Sequence, residues 1–368
     1  MKKLIFRKFN KDTLFFFATS IIVMSLIVWT LKAVSYFDFV SQDGHGLKVY
    51  FLYTLLNFPK IVNRILPFIY FVSLFYIIIN YEIKNELSIF WINGITKINF
   101  ANNIILFSII IMIFQIWLGG FLSPQSQFKA RNYLKNSNMD FFTSLIKEGK
   151  FINAVKGLTI FIQNKNEDGS YSKIFLDDST KSVSKMIHAK DGILIDGEKK
   201  KVFRLYEGRV INIDKNKINV FEFDQIDFSL KDFASNTITV PKIQEIDTLA
   251  LLSCFYSLEV KKKFDAFKCD KPLLKEIKQE LLKRIYTPLY IPVITILCCF
   301  LITSSRIKSN YQKIRNLVFI FTFVILVFSE TSLRYSTSSN SSMTIYLVLP
   351  WVIFLISYLI FNKKVKNA

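Results

Sequence analysis

The chain has 368 residues, 51% of them hydrophobic, with a mean hydropathy of +0.33. So much apolar residue in long unbroken runs argues against an ordinary soluble enzyme and places the chain first in the membrane class. The net charge of +20 is spread along the chain and accompanies no RNP-like, zinc-finger or helix-turn-helix pattern, so no nucleic-acid partner is expected.

Apolar runs long enough to cross a hydrocarbon core of ~30 Å occur at about 14–34, 61–79, 100–122, 285–303, 314–333 and 343–361. Residues 14–31 hold eleven Leu, Ile, Phe or Val. Together these favour insertion by on the order of 3–6 kcal/mol, more than the ~3 kcal/mol cost of Lys32 at the helix end. The run is too long for a signal-peptide core, and no small-x-small site follows it, so it reads as an uncleaved first helix.

Orientation follows from basic residues in short segments. Lys2, Lys3, Arg7, Lys8 and Lys11 precede the first run; Arg306, Lys308, Lys313 and Arg315 follow the fourth; Lys363, Lys364 and Lys366 follow the last. Six crossings put all three groups on one side, read as cytoplasmic, and leave 123–283 outside. The cytoplasmic segments are too short for a kinase, cyclase or ATPase domain, and the chain has no G-x-x-x-x-G-K-[ST] loop.

The outer segment reads as β in its middle. Leu158, Ile160 and Ile162 alternate with Thr159, Phe161 and Gln163, the period of a strand. Further short runs at about 171–177, 192–196, 201–206, 209–213 and 217–230 are separated by turn signals at Asp168-Gly169, Asp191-Gly192, Asp196-Gly197 and Glu207-Gly208. A sandwich or jelly roll is expected. Residues 246–283 read as a helical return, with Glu280 and Arg284 paired at i,i+4. Cys298 and Cys299 fall in an apolar run; a bridge between Cys254 and Cys269 is left open. The two histidines, His45 and His188, allow no His-based triad and no metal cluster, so no cofactor is expected.

The segment Asn85-Glu86-Leu87-Ser88-Ile89-Phe90-Trp91-Ile92-Asn93-Gly94-Ile95 predicts a short capped helix, with Asn85 as N-cap and Gly94 at C′. It is either a plain linker or a coupling helix that presents Leu87, Phe90 and Trp91 to a separate ATPase. Here the chain resembles the lipopolysaccharide-export permeases, LptF/LptG, also called the YjgP/YjgQ type. Glu86-Leu87, Gly94 and Ile95 match that family's coupling segment, although Trp91 stands where a basic residue is usual. Glu280-Leu281-Leu282-Lys283-Arg284-Ile285-Tyr286-Thr287-Pro288-Leu289 is similar to its entry into the fourth helix. Leu122-Ser123-Pro124 with Lys129-Ala130-Arg131, and Leu205 to Arg209 with Phe221-Glu222-Phe223, match further motifs. Val28-Trp29-Thr30-Leu31 resembles alphaproteobacterial LptF.

The resemblance implies an α-helical inner-membrane protein with six transmembrane helices (3+3) and an inserted all-β, jelly-roll-like periplasmic domain. Residues 1–122 would hold helices one to three with the coupling helix near 85–94, residues 123–283 the β domain with its return, and residues 284–368 helices four to six. It implies a permease subunit, not an enzyme. That subunit pairs with a homologous partner in an LptF/LptG heterodimer, is driven by a separate P-loop ATPase dimer of the LptB type, and passes lipopolysaccharide to LptC/LptA-type bridge proteins. The cargo is an anionic, multiply acylated glycolipid, so Lys32, Lys60 and Arg64 are candidate contacts to its phosphates, with interfacial snorkelling as the alternative. Glu330 and Arg334 are either a plain i,i+4 pair or gate residues. A permease for another lipid or lipoprotein, and a non-transporting scaffold, remain alternatives.

Overall fold

A computed structural model of the chain describes residues 2–37, 47–136, 148–155, 158–166, 169–179, 184–197, 200–214, 217–229, 242–260, 273–303 and 311–366. The chain divides into two compact units. One comprises Met1–Leu31, Leu56–Phe128 and Lys242–Ala368; the other comprises Lys32–Leu55 and Lys129–Pro241.

Six helices are long and apolar enough to cross a membrane: Lys2–Tyr36, Leu47–Ile83, Lys97–Leu134, Leu274–Thr303, Tyr311–Tyr335 and Ser341–Lys366. They contain the six runs expected from hydropathy. The first span is the helix α1 (Lys2–Tyr36). The second is interrupted between α2 (Leu47–Leu56) and α3 (Phe58–Ile83), where Asn57 precedes a proline in the first turn of α3. A proline there lacks the amide that would continue the ladder of α2, and its fixed φ suits a new helix start.

The third span joins α5 (Lys97–Trp117) to α6 (Ser123–Asn136) through a π-helical turn at Leu118–Leu122, after the short α4 (Glu86–Ile92) that links spans two and three. A Cβ on Gly119 in that turn would lie 2.8 Å from Asn63 Nδ2, so the second and third spans approach closely here and a larger residue would displace the Asn63 amide. The wider turn alters the i→i−4 ladder, and the Gly120 carbonyl accepts the Thr248 hydroxyl.

The fourth span lies at the centre of its unit, with 72% of its apolar window buried against 11% for the first. After α8 (Leu274–Leu281) it passes through a π turn at Leu282–Tyr286 and a 3₁₀ turn at Thr287–Leu289 before α9 (Tyr290–Cys299). Pro288, which has no amide to donate, accounts for the break in regularity. Tyr70 of α3 and Thr295 of α9 are hydrogen-bonded at 3.0 Å inside the shared core. The last two spans are α10 (Tyr311–Tyr335) and α11 (Asn340–Lys366), both with long apolar outer faces. The helix α7 (Thr248–Val260) packs on α8 around Leu251, Cys254 and Ile277. Cys254 is disulfide-bonded, and Cys269 lies outside the described residues. Cys298 and Cys299 are buried free thiols, as their apolar run suggests.

The β domain, inserted between the third and fourth spans, is a six-stranded antiparallel sheet: β1 (Lys150–Val155), β2 (Leu158–Lys165), β3 (Ser170–Asp178), β4 (Ser184–Gly197), β5 (Lys200–Asp214) and β6 (Lys217–Ser229). Each strand pairs with the next in sequence. Ile160 and Ile162 join a core with Ile174, Leu176, Ile187, Phe203, Leu205 and Val210.

Two of the expected turns are not turns. Asp191-Gly192 lies within β4 and Glu207-Gly208 within β5, so the run at 192–196 belongs to a longer strand that starts at Ser184, and the runs at 201–206 and 209–213 merge into one. The glycines are there for space: a Cβ on Gly208 would lie 2.1 Å from the His188 carbonyl oxygen, and one on Gly192 would lie 2.6 Å from Ile174 Cδ1. A crease crosses the sheet at the same level. Lys173 and Glu207 have φ of 52° and 45°. The buried positions jump from Tyr171 to Ile174 in β3, from Ala189 to Gly192 in β4 and from Leu205 to Val210 in β5. Pairing on the two sides of the crease keeps one register, as Ser172↔Asp191 and Ile174↔Ala189 show.

Candidate functional site

The linking helix α4 is built into the bundle end that carries the N-terminus. Its C-terminus is a Schellman motif: the Gly94 amide donates to the Trp91 carbonyl and the Ile95 amide to the Phe90 carbonyl, each at 3.0 Å, with Gly94 at φ 67°. Its N-terminus departs from expectation, since Asn85 is left-handed at φ 57° and makes no side-chain cap. Leu87 and Phe90, three residues apart and so on one face, are 2% and 1% exposed in the chain's own core. Phe90 meets Phe6, Phe9 and Phe100 with ring centroids 5.0–6.2 Å apart, edge to face. Each such pair adds about 0.5–1.5 kcal/mol beyond area burial. Trp91 is half-buried with its ring 5.7 Å from Phe100. The face expected to meet a partner is therefore turned inward. The open face carries Ser88, Ile89 and Ile92, the last 83% exposed.

Polar contacts fasten the same helix to α1. Lys8 Nζ lies 3.3 Å from Glu86 Oε2, and Lys2 Nζ donates to the Gly94 carbonyl at 3.3 Å. One turn further, Tyr81 donates its hydroxyl proton to Asp12. Sequence reading missed Asp12 and gave Lys8 a part in orientation only, not its pairing with Glu86. A lone acid at the start of an apolar run was the available signal for Asp12, whereas nothing local links Lys8 to a glutamate beyond the second span.

A second constellation gathers around Arg284. The expected pair with Glu280 forms, Nε to Oε1 at 3.0 Å. The guanidinium, 3% exposed, also donates to the Ile246 carbonyl at 2.8 Å, Thr248 Oγ1 at 3.0 Å, the Gln244 carbonyl at 3.0 Å and the Ile243 carbonyl at 3.4 Å. The fork of donors on a fixed plane makes arginine able to serve so many acceptors at once. Lys60 borders this constellation: its ammonium donates to Gln244 Oε1 at 3.2 Å and feels Lys283, Glu280, Glu245 and Lys242. With Arg284, four cations stand against two carboxylates and leave a positive balance there.

The other candidates are spread out. Arg64 is exposed on α3, one turn beyond Lys60. Lys32 belongs to the other unit and is exposed near the end of α1, just before the place where Tyr50 donates to the Ala33 carbonyl at 2.9 Å and Tyr36 packs edge to face on Tyr53. Glu330 is half-buried and Arg334 exposed on α10, and no ion pair joins them among the described residues. The charge clusters after the fourth span, at Arg306 and Lys308, and His45 lie outside the described residues.

The β domain carries one further feature. Opposite its core, Phe151, Phe161, Phe175, His188, Arg209 and Glu222 are successive cross-strand partners in one row across all six strands. The Phe151 and Phe161 rings lie 4.6 Å apart, and those of Phe175 and His188 4.8 Å. They line a groove of about 1010 Å³ at the crease, which Lys173, Lys190 and Glu207 also border. Burial, and then the nearby Arg209 charge, lower the His188 pKa below that of a free histidine. No group of three or more potential metal ligands occurs among the described residues.

The family model described as lipopolysaccharide export system permease LptF/LptG matches residues 7–364, which takes in the spans, the linking helix and the β domain. An uncharacterized protein of Rickettsia prowazekii (strain Madrid E) is 24% identical over 218 residues, covering 57% of this chain. The aligned part spans 59% of that relative's length.

Proposed function

Because the chain belongs to the lipopolysaccharide export system permease LptF/LptG family and is a multi-pass inner-membrane protein, we propose that it is one half-permease of an ATP-driven lipopolysaccharide exporter. It pairs with a homologous LptF/LptG partner, is driven by an LptB-type P-loop ATPase dimer, and hands its cargo to LptC/LptA-type bridge proteins. The observation that carries this reading is a family match running through both helical groups, together with a linking helix clamped to the first span. The basic ends of the helices face the cytoplasm and the β domain the periplasm.

In this reading Ser88, Ile89 and Ile92 form the outer surface of the coupling helix, and Leu87, Phe90 and Gly94 hold its shape. Glu86 and Trp91 connect it to α1 and α5. A push on α4 reaches α1 directly through Lys8–Glu86 and the phenylalanine cluster. The positive balance around Lys60, with exposed Arg64, suits the phosphates of an anionic glycolipid, and exposed Lys32 is a separate candidate for such a contact. Glu330 and Arg334, unpaired with each other, are gate candidates on α10.

The test is recovery of the tagged full chain at native expression in mild detergent, combined with depletion in cells. A homologous six-helix partner, a P-loop ATPase and bound lipopolysaccharide are expected, and depletion should strand lipopolysaccharide in the inner membrane. Recovery without an ATPase would leave a scaffold as the better account. A different bound lipid, with lipopolysaccharide delivery unchanged, would point to another cargo.

A further inference from the structure

The last three spans enclose a groove lined by none of the residues assigned a part in export above. It has a volume of about 750 Å³ and is lined by apolar side chains of α9, α10 and α11, among them Leu317, Phe321, Ile356 and Ile360. Its lining holds two charges, Lys313 and Lys364, both exposed and both cationic. Lys313 stands near the start of α10 and Lys364 near the end of α11, so both lie at the same end of the groove. The deepest lining residue of α10 is Thr322, nine positions on, which at ~1.5 Å per residue is ~14 Å. That is about half of a ~30 Å hydrocarbon core, the depth of one leaflet. The groove thus combines cations at headgroup level, an apolar wall one leaflet deep, and no acid among its lining residues.

We propose that this groove is a binding site for one anionic glycerophospholipid of the leaflet next to the chain termini. Lys313 and Lys364 bond the phosphate, and one acyl chain lies along Leu317, Phe321 and Ile356. Such a lipid differs from the cargo, because its headgroup sits at the membrane face opposite the Lys60 constellation. It would hold α10 and α11 at a set spacing. The proposal depends on membrane placement and not on the identity of the cargo.

The test uses the full chain, purified and placed in nanodiscs of phosphatidylcholine with a minor fraction of phosphatidylglycerol, with retained lipid counted by native mass spectrometry. Wild type should hold one phosphatidylglycerol. The double variant Lys313→Gln/Lys364→Gln should hold at least tenfold less, and Ile356→Trp, which fills the groove with both lysines in place, should also lose it. Equal retention by wild type and the lysine variant would overturn the proposal. Loss in the lysine variant but not in Ile356→Trp would also overturn it, since the lipid would then sit on the surface alone. A photo-crosslinker at Ser357 that captures a partner's helix in place of lipid would make the groove a protein interface. Both lysines are exposed, so their variants fold even if the tryptophan variant does not.

Discussion

The Lys8 ammonium lies 3.3 Å from the Glu86 carboxylate, across 78 positions of sequence, and fastens the first turn of the linking helix to the first span. As a stabilising contact it is weak, because the lysine side chain is 63% exposed and such pairs contribute about 0–1 kcal/mol. Its value is geometric. Lys8→Glu or Glu86→Lys alone should leave membrane expression near wild type while reducing lipopolysaccharide release in proteoliposomes. The double reversal should restore release, and a double variant no better than either single one would remove the pair from the coupling path.

Separate residues of α4 should separate folding from docking. Phe90→Ala empties a site shared with Phe6, Phe9 and Phe100 and should cost about 3–5 kcal/mol, seen as loss of the monodisperse peak in size-exclusion chromatography. Ile92→Asp, on the open face, should leave that peak intact and abolish recovery of the ATPase. An intact ATPase complex in Ile92→Asp would place the docking surface elsewhere.

Arg284 should tolerate no replacement. Methionine leaves the Glu280 carboxylate and the carbonyls of Ile243, Gln244 and Ile246 without their donor, a change expected to cost about 3–5 kcal/mol. Lysine keeps the charge but loses the fork, and should recover less than half of the lost thermal stability. Denaturation midpoints in one detergent compare the three proteins. A lysine variant as stable as wild type would show that charge alone matters.

His188 gives the β domain a dependence on pH. Its pKa lies below that of a free histidine, so between the two values the unfolded chain binds more protons than the folded one. The stability it confers is complete above about pH 6.5 and falls as pH drops through that value towards the folded pKa. Thermal midpoints of wild type should therefore decline more steeply between about pH 7 and pH 5 than those of His188→Gln. Parallel curves would show that the imidazole is not the group responsible.

Lys32→Glu should abolish growth when it replaces the only copy, with the protein still present in the membrane fraction. Full complementation would remove Lys32 from the substrate path, and Lys60→Glu and Arg64→Glu would then be the next variants to compare.

Local features were legible in the sequence because their causes are local. The six spans follow from hydropathy, the Glu280–Arg284 pair from its i,i+4 spacing, and the end of α4 from Gly94, which alone there takes a positive φ without strain. Asp191-Gly192 and Glu207-Gly208 misled because the same dipeptides serve turns and crowded strand interiors. The choice depends on neighbours such as the His188 carbonyl, which lies in another strand. The face of α4 misled for a related reason. A helical period shows that Leu87 and Phe90 share a side, but not whether a partner or Phe100 covers it. Lys8, Asp12 and the phenylalanine row of the sheet depend on pairings that only the folded chain reveals.

The crease in the sheet constrains how the β domain can vary. The strands β3, β4 and β5 change face at one level while the pairing register runs through unbroken. Removing one residue there from β4 alone would turn half of that strand's core side chains outward against unchanged neighbours. Length in these three strands is therefore a shared property, to be gained or lost in step, whereas the hairpin ends can lengthen one at a time.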